Sequence, residues 1–303
     1  MSEELIVFTH NDLDMMGCML NINHALNVKK KYFYTNYVNI PEIVGNIEAH
    51  ILANQNTHMI ITDVSFSDNK DYLKQLYDTG INITYIDHHL YPDNFFDAFP
   101  NMSVHWDDTK SATMLCYESF RNDNANLLKL STLIDVYDLW QVDSPYFDIS
   151  QLLNAYYWNY DVVELANSIK ELDYNLPPDF ASVTNEIKDK WDTAIQQYES
   201  SGRLLRAEGI TFAFIDGEFF NPVLINEMRN GQDAVIGIAD TGIVRVRINK
   251  DADITNEKKD EIRNALTGTK DIGHMNAFTY KMEHAVNSDT KINEAKKIIG
   301  EFQ

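Results

Sequence analysis

The stretch "LIVFTHNDLDMMGC", residues 5–18, joins an apolar run of the kind found in buried strands to three groups that resist burial, His10, Asp12 and Asp14. In an extended chain alternate side chains point to the same side, so the three converge if the strand geometry persists beyond Phe8. Carboxylates that close repel one another unless something positive stands between them. A metal ion is the obvious candidate.

Two further apolar runs end the same way, "HMIITDVSF" (58–66) and "INITYIDHH" (81–89). Between the three lie segments with helical patterning, 16–30, 40–54 and 68–79, the last stopping at Gly80 as a C-cap would. Strand alternating with helix predicts an α/β fold, a parallel sheet with helices on both faces. Ligands bind such sheets beyond the carboxyl ends of the strands, where His10, Asp63 and His88 fall.

Helical patterning resumes over 111–121, 126–137 and 151–172, until "NLPPDF" (175–180) interrupts it. A polar amphipathic helix over 181–200, stopped at "SSGR", reads as a domain connector. After it, "ITFAFID", "DAVIGIAD" and "IVRVRIN" read as strands, followed by a helix over 256–266, the loop "TGTKDIGH" and a helix from 289. The expected organisation is therefore a catalytic domain over 1–180, a helical linker over 181–202 and a smaller α/β substrate domain over 203–303.

The chain has 303 residues and a formal net charge of -21. That balance argues against a broad basic surface gripping long nucleic acid through its phosphates. An anionic substrate would need local help from metals or a small basic pocket. Two cysteines, Cys18 and Cys116, exclude a disulfide framework and fit a reducing compartment. With no apolar run long enough to span a bilayer and no signal-like start, a cytoplasmic protein with no membrane partner is expected.

His10, Asp12, Asp14, Asp63, Asp87, His88, His89 and Asp135 form a set of carboxylates and imidazoles without thiolates. Such donors suit Mn²⁺ or Mg²⁺ better than a structural zinc ion. Separate strand ends can hold two ions about 3.5–4 Å apart, an arrangement that activates water and clamps a phosphoryl oxygen. A single aspartate of this kind usually caps a helix or lies in a solvated loop; it is the combined set that favours a metal centre.

The motifs "THNDLDMMGC", "ITDV", "YIDHH" and "STLIDVYDLW", in this order, resemble the four signature motifs of the DHH phosphoesterase superfamily, which includes RecJ-type exonucleases, nanoRNases and cyclic-dinucleotide phosphodiesterases. "KSATMLCYE" resembles the helix start that the family carries between its third and fourth motifs. "DIGHMNAFTY" resembles the "GGHxxAAG" signature of the DHH-associated substrate domain, matching at Gly273, His274 and Ala277 and departing at Ile272, Phe278 and Thr279. The family's manganese pyrophosphatases differ, with a first motif resembling "HxxxDxD", whereas His10 lies two residues before Asp12.

The resemblance implies two Mn²⁺ ions, with Mg²⁺ as the alternative. His10, Asp12 and Asp63 would hold one; Asp14, Asp63, His88 and Asp135 the other; Asp63 would bridge. Asp135 is preferred to Asp138 because "DVYDL" matches the RecJ-like fourth motif from its first aspartate. His89 would face the scissile phosphate as phosphate ligand, general acid or both, and Asp87 would orient the histidines. Met15 stands where the family commonly has glycine. Gly273 and His274 would meet a terminal phosphate, and Arg245 and Arg247, alternating onto one strand face, are further substrate contacts. The aromatic "NAYYWNY" (154–160) reads as core, and Lys29, Lys30 and Lys31 as a solvated helix end. The expected activity is Mn²⁺-dependent hydrolysis of terminal phosphodiesters in short single-stranded oligonucleotides. The alternatives are a cyclic-dinucleotide or bisphosphonucleotide phosphoesterase, a RecJ-like exonuclease on single-stranded DNA, and an inactive nucleotide-binding module. A short oligonucleotide or nucleotide and a second copy of the chain, as a homodimer, are the expected partners.

Overall fold

The computed structural model describes residues 4–35, 39–55, 57–67, 69–201, 203–207, 210–216, 231–239, 241–249, 252–267, 277–282 and 288–301. The chain divides into two compact units, Met1–Thr184 and Asn185–Gln303.

In the first unit five strands pair in parallel, β1 (Glu4–His10), β2 (Lys29–Thr35), β3 (His58–Thr62), β4 (Asn82–Asp87) and β5 (Ser103–Trp106), in the order β2-β1-β3-β4-β5. The chain leaves β1 for one edge and returns to its other side at β3. The direction of winding therefore reverses between β1 and β3, and the carboxyl ends there border a crevice.

The central strands are apolar on both faces because both are covered. Ile6, Phe8, Met59, Ile61, Ile83 and Tyr85 pack with helices α2 (Ile40–Asn54) and α3 (Lys70–Asp78). Leu5, Val7, Ile60 and Ile86 pack with α1 (Leu13–Ala25) and α4 (Ala112–Ser119). Helix α1 is buried continuously from Leu13 to Ile22, because α5 (Ala125–Asp138), α6 (Phe147–Tyr157) and α7 (Val162–Glu171) enclose it further. Gly17 lets α4 approach: a Cβ there would lie 2.0 Å from Thr113 Oγ1 and 2.8 Å from Ile134 Cδ1.

Three expectations are corrected. The lysine run does not end a helix but opens β2, and β5 forms the opposite edge. Edge strands tolerate lysine and carry less apolar signal. The helix expected over 151–172 is two helices, because the Asp161 side chain accepts from the Val163 and Glu164 amides and starts α7. Of the aromatic run, Tyr156 and Tyr157 join the core, whereas Trp158 and Tyr160 are exposed.

Helix α8 (Phe180–Ser201) crosses the boundary between the units. The second unit holds a sheet in the order β10-β9-β8-β7-β6, from β6 (Arg203–Ala207), β7 (Ile210–Asp216), β8 (Ala234–Ile238), β9 (Ile243–Ile248) and β10 (Ala277–Lys281). All of its pairs are antiparallel except β7 with β8. One face packs Phe212, Ile236, Val244 and Val246 against Ile262 and Ile298 of α9 (Asn256–Thr267) and α10 (Ser288–Glu301). Among the described residues no helix is long and apolar enough to cross a membrane.

Candidate metal centre

Each strand bordering the crevice delivers its polar residues at or just beyond its carboxyl end. His10 ends β1; Asp12 is the N-cap of α1, its side chain accepting from the Met15 amide at 3.1 Å. Met15 itself is buried in the core. Asp63 follows β3 in the left-handed region, φ 55°, while its amide still donates to the Ile86 carbonyl. A buried non-glycine residue held there is a local cost of the sort found at functional sites. Asp87 ends β4, and His88 and His89 follow it.

These residues meet. His10 Nδ1 lies 2.9 Å from Asp12 Oδ2 and 3.9 Å from Asp63 Oδ2. On the other side His88 Nε2 lies 3.4 Å from Asp63 Oδ1 and 3.4 Å from Asp138 Oδ2. The two oxygens of Asp63 therefore face two different imidazoles. Among the described residues the side chains able to hold an ion fall into three groups: His10, Asp12 and Asp63; Asp14, His88 and Asp138; and Asp63, Asp87, His88 and His89.

Asp138, not Asp135, belongs to these groups. Asp135 is engaged elsewhere, its Oδ1 accepting from the Ser111 amide at 2.7 Å. Asp14 is also tied to that helix start: its two oxygens accept from the Ala112 and Thr113 amides, each at 2.9 Å. With Ser111 Oγ accepting from Met114, the first amides of α4 are satisfied by acidic and hydroxyl groups. This fixes Asp14 against a favourable helix end.

Asp87 is fully buried, and both of its oxygens are used. His89 Nδ1 lies 2.8 Å from Oδ1, and the Tyr91 hydroxyl donates to Oδ2. Burial alone would raise the Asp87 carboxyl, but the charge and hydrogen bond of His89, with His88 and Tyr91, hold it at about 2. It is thus a carboxylate that orients the His89 ring, with Nδ1–H as donor. Tyr91 was not singled out from sequence, since a tyrosine in an aromatic loop carries no signal of its own.

The electrostatics of the group suit a bound cation. Burial, together with Asp12 and Asp14, drives the Asp63 carboxyl well above its usual range. Burial and Asp14 do the same to Asp138. His88 is raised well above its ordinary value although burial opposes this, because Asp138, Asp63 and Asp14 surround it. Asp12, which burial would raise, is held at about 2 by His10. Protons are drawn in where negative charge is crowded, and a divalent ion answers the same demand. Two buried oxygens, Asp63 Oδ2 and Asp138 Oδ2, accept no hydrogen bond. The donor set is oxygen and imidazole, and both thiols lie buried in the core. The residues present therefore fit hard or borderline divalent ions.

The remaining candidates lie in the second unit. Arg245 and Arg247 are partly exposed on the face of β9 opposite its buried Val244, Val246 and Ile248. Gly273 and His274 lie outside the described residues.

No protein-family model matches the chain, and no curated protein matches it in sequence. The chain shares its fold with the crystal structure of CDC45 from Entamoeba histolytica, at a TM-score of 0.56 and 9% identity over 99% of this chain and 95% of that one. An uncharacterized protein from Helicobacter pylori G27 aligns over 98% of both chains at 15% identity, with a TM-score of 0.44.

Proposed function

We propose that the chain is a DHH-type phosphoesterase that uses two Mn²⁺ ions to hydrolyse terminal phosphodiesters of short single-stranded oligonucleotides. The observation that carries this is Asp63, set between His10 and His88 with one oxygen toward each, amid further carboxylates from α1 and α5. The ordered motifs that resemble the superfamily choose phosphoryl chemistry from what such a centre could do.

His10, Asp12 and Asp63 would hold one ion; Asp14, Asp63, His88 and Asp138 the other. When bound, the ions supply charge neutralisation for the phosphodiester and activation of water. The protein supplies the rest. The amides of α4 hold Asp14 in place, and Asp87, itself held by Tyr91, sets the His89 ring. His89 donates a proton to the leaving oxygen or contacts the phosphate. The second unit would select the substrate, with Gly273, His274, Arg245 and Arg247 as its contacts. Two free thiols, both buried, suit a reducing cytoplasm.

Dialysed protein reconstituted with Mn²⁺ and offered dinucleotides, longer oligomers, cyclic dinucleotides and pyrophosphate tests the proposal. Two ions per chain and hydrolysis favouring the dinucleotide are expected, with both occupancy and turnover lost in Asp63→Ala. No hydrolysis of any member of the panel, or a single tightly held zinc ion, overturns it.

A further inference from the structure

We infer that Trp106 is a stacking platform for the nucleobase next to the reacting phosphate. This deepens the proposed function and rests on it for the substrate class. Trp106 ends β5 and pairs in register with Asp87 at the end of β4, so the two share one face of the sheet at its carboxyl rim. Its indole Nε1 donates to the His89 carbonyl at 2.7 Å, which ties the ring to the residue beside the centre. Even so, the residue is 45% exposed, and neighbouring Leu90 is exposed as well. An indole with its only polar atom satisfied and much of its apolar surface open is fixed in orientation without being covered.

Charge gives this ring its use. The chain carries -21 overall, and Lys110 is the one lysine or arginine between Tyr85 and Phe120. Lys110 is held by Glu118 at 2.7 Å and Asp107 at 3.6 Å. Within this segment, affinity for a nucleotide would therefore come from contacts other than a basic patch. Stacking supplies it for any base, because every base has a π-face, and contributes on the order of tenfold to a hundredfold per base. Short substrates with a base beside the phosphate, and little preference for which base, follow.

The test is calorimetric binding of AMP and of ribose 5-phosphate to Mn²⁺-loaded protein, which reads the base without requiring turnover. Wild type should bind AMP roughly tenfold or more tighter than ribose 5-phosphate. Trp106→Ala should bring that ratio to within about twofold, and Trp106→Phe, which keeps a ring but loses the bond to the His89 carbonyl, should retain most of it. A wild-type ratio near one, no measurable AMP binding, a ratio unchanged in Trp106→Ala, or equal loss in both variants overturns the platform. Phosphodiester turnover is measured alongside. A Trp106-dependent ratio without turnover keeps the platform and rejects the phosphoesterase; turnover with a ratio of one does the reverse.

Discussion

At the scale of single residues the informative contrast is Asp135 with Asp138. They lie three apart on α5, yet one accepts from the Ser111 amide at the start of α4 and the other meets His88. Asp138→Asn should lower Mn²⁺ occupancy and reduce turnover by about a hundredfold or more, since it withdraws charge from the ion itself. Asp135→Ala should keep the metal but cost roughly 1–2 kcal/mol of stability by stranding the Ser111 amide. Metal analysis and urea unfolding of both variants check the assignment, and a reversed pattern would return the ligand to Asp135. The two histidines divide similarly. His89→Ala should lose on the order of a hundredfold in turnover with metal retained, because the proposed role of His89, whose Nδ1 lies against Asp87, is proton transfer rather than coordination. His88→Ala should lose metal first. Equal metal loss in the two would dissolve that division.

At the scale of elements the contact of α1 with α4 positions Asp14, because the amides that hold its carboxylate belong to α4. Gly17 sets how closely the helices approach. Gly17→Ala improves helix propensity by about 1 kcal/mol, but its methyl group would overlap Thr113 and Ile134, and overpacking costs typically about 1–3 kcal/mol. The net expectation is a lower melting temperature and weaker metal binding. Thr113→Ala in the same chain should recover part of the loss, since two of the three overlapping atoms belong to that side chain. Additive effects of the two substitutions would show that steric overlap is not the cause.

At the scale of the whole molecule the proposed centre would tie stability to metal. An ion that binds the folded state alone stabilises it by mass action, about 2.7 kcal/mol at a hundredfold excess over Kd. Burial and neighbouring acids drive the carboxyls of Asp63 and Asp138 up in pKa, a crowding of charge that a bound ion would offset. Calorimetric scans should show the transition of the Met1–Thr184 unit rising by several degrees with Mn²⁺ and falling back with chelator, and Asp63→Ala should abolish the response. A transition indifferent to Mn²⁺ would contradict a two-ion centre whatever the activity.

The sequence by itself determined the central strands β1, β3 and β4, since residues buried on two faces must be apolar and the polar groups that end each run have nowhere to go but the rim. It determined the hard donor set as well, because chemical type is local. Tertiary structure decided what depends on distant chain. Asp14 meets amides nearly a hundred residues away, and that packing turns Asp135 to the helix cap while Asp138 reaches the centre. Spacing could not choose between them, because residues three apart lie on the same helical face. The edge strands β2 and β5 were hidden for a related reason: an edge is half solvated, so its residues need not alternate cleanly, and only pairing with a neighbour reveals it. Trp106 emerged in the same way, its place beside His89 set by the register of β5 on β4 and not by any pattern along the chain.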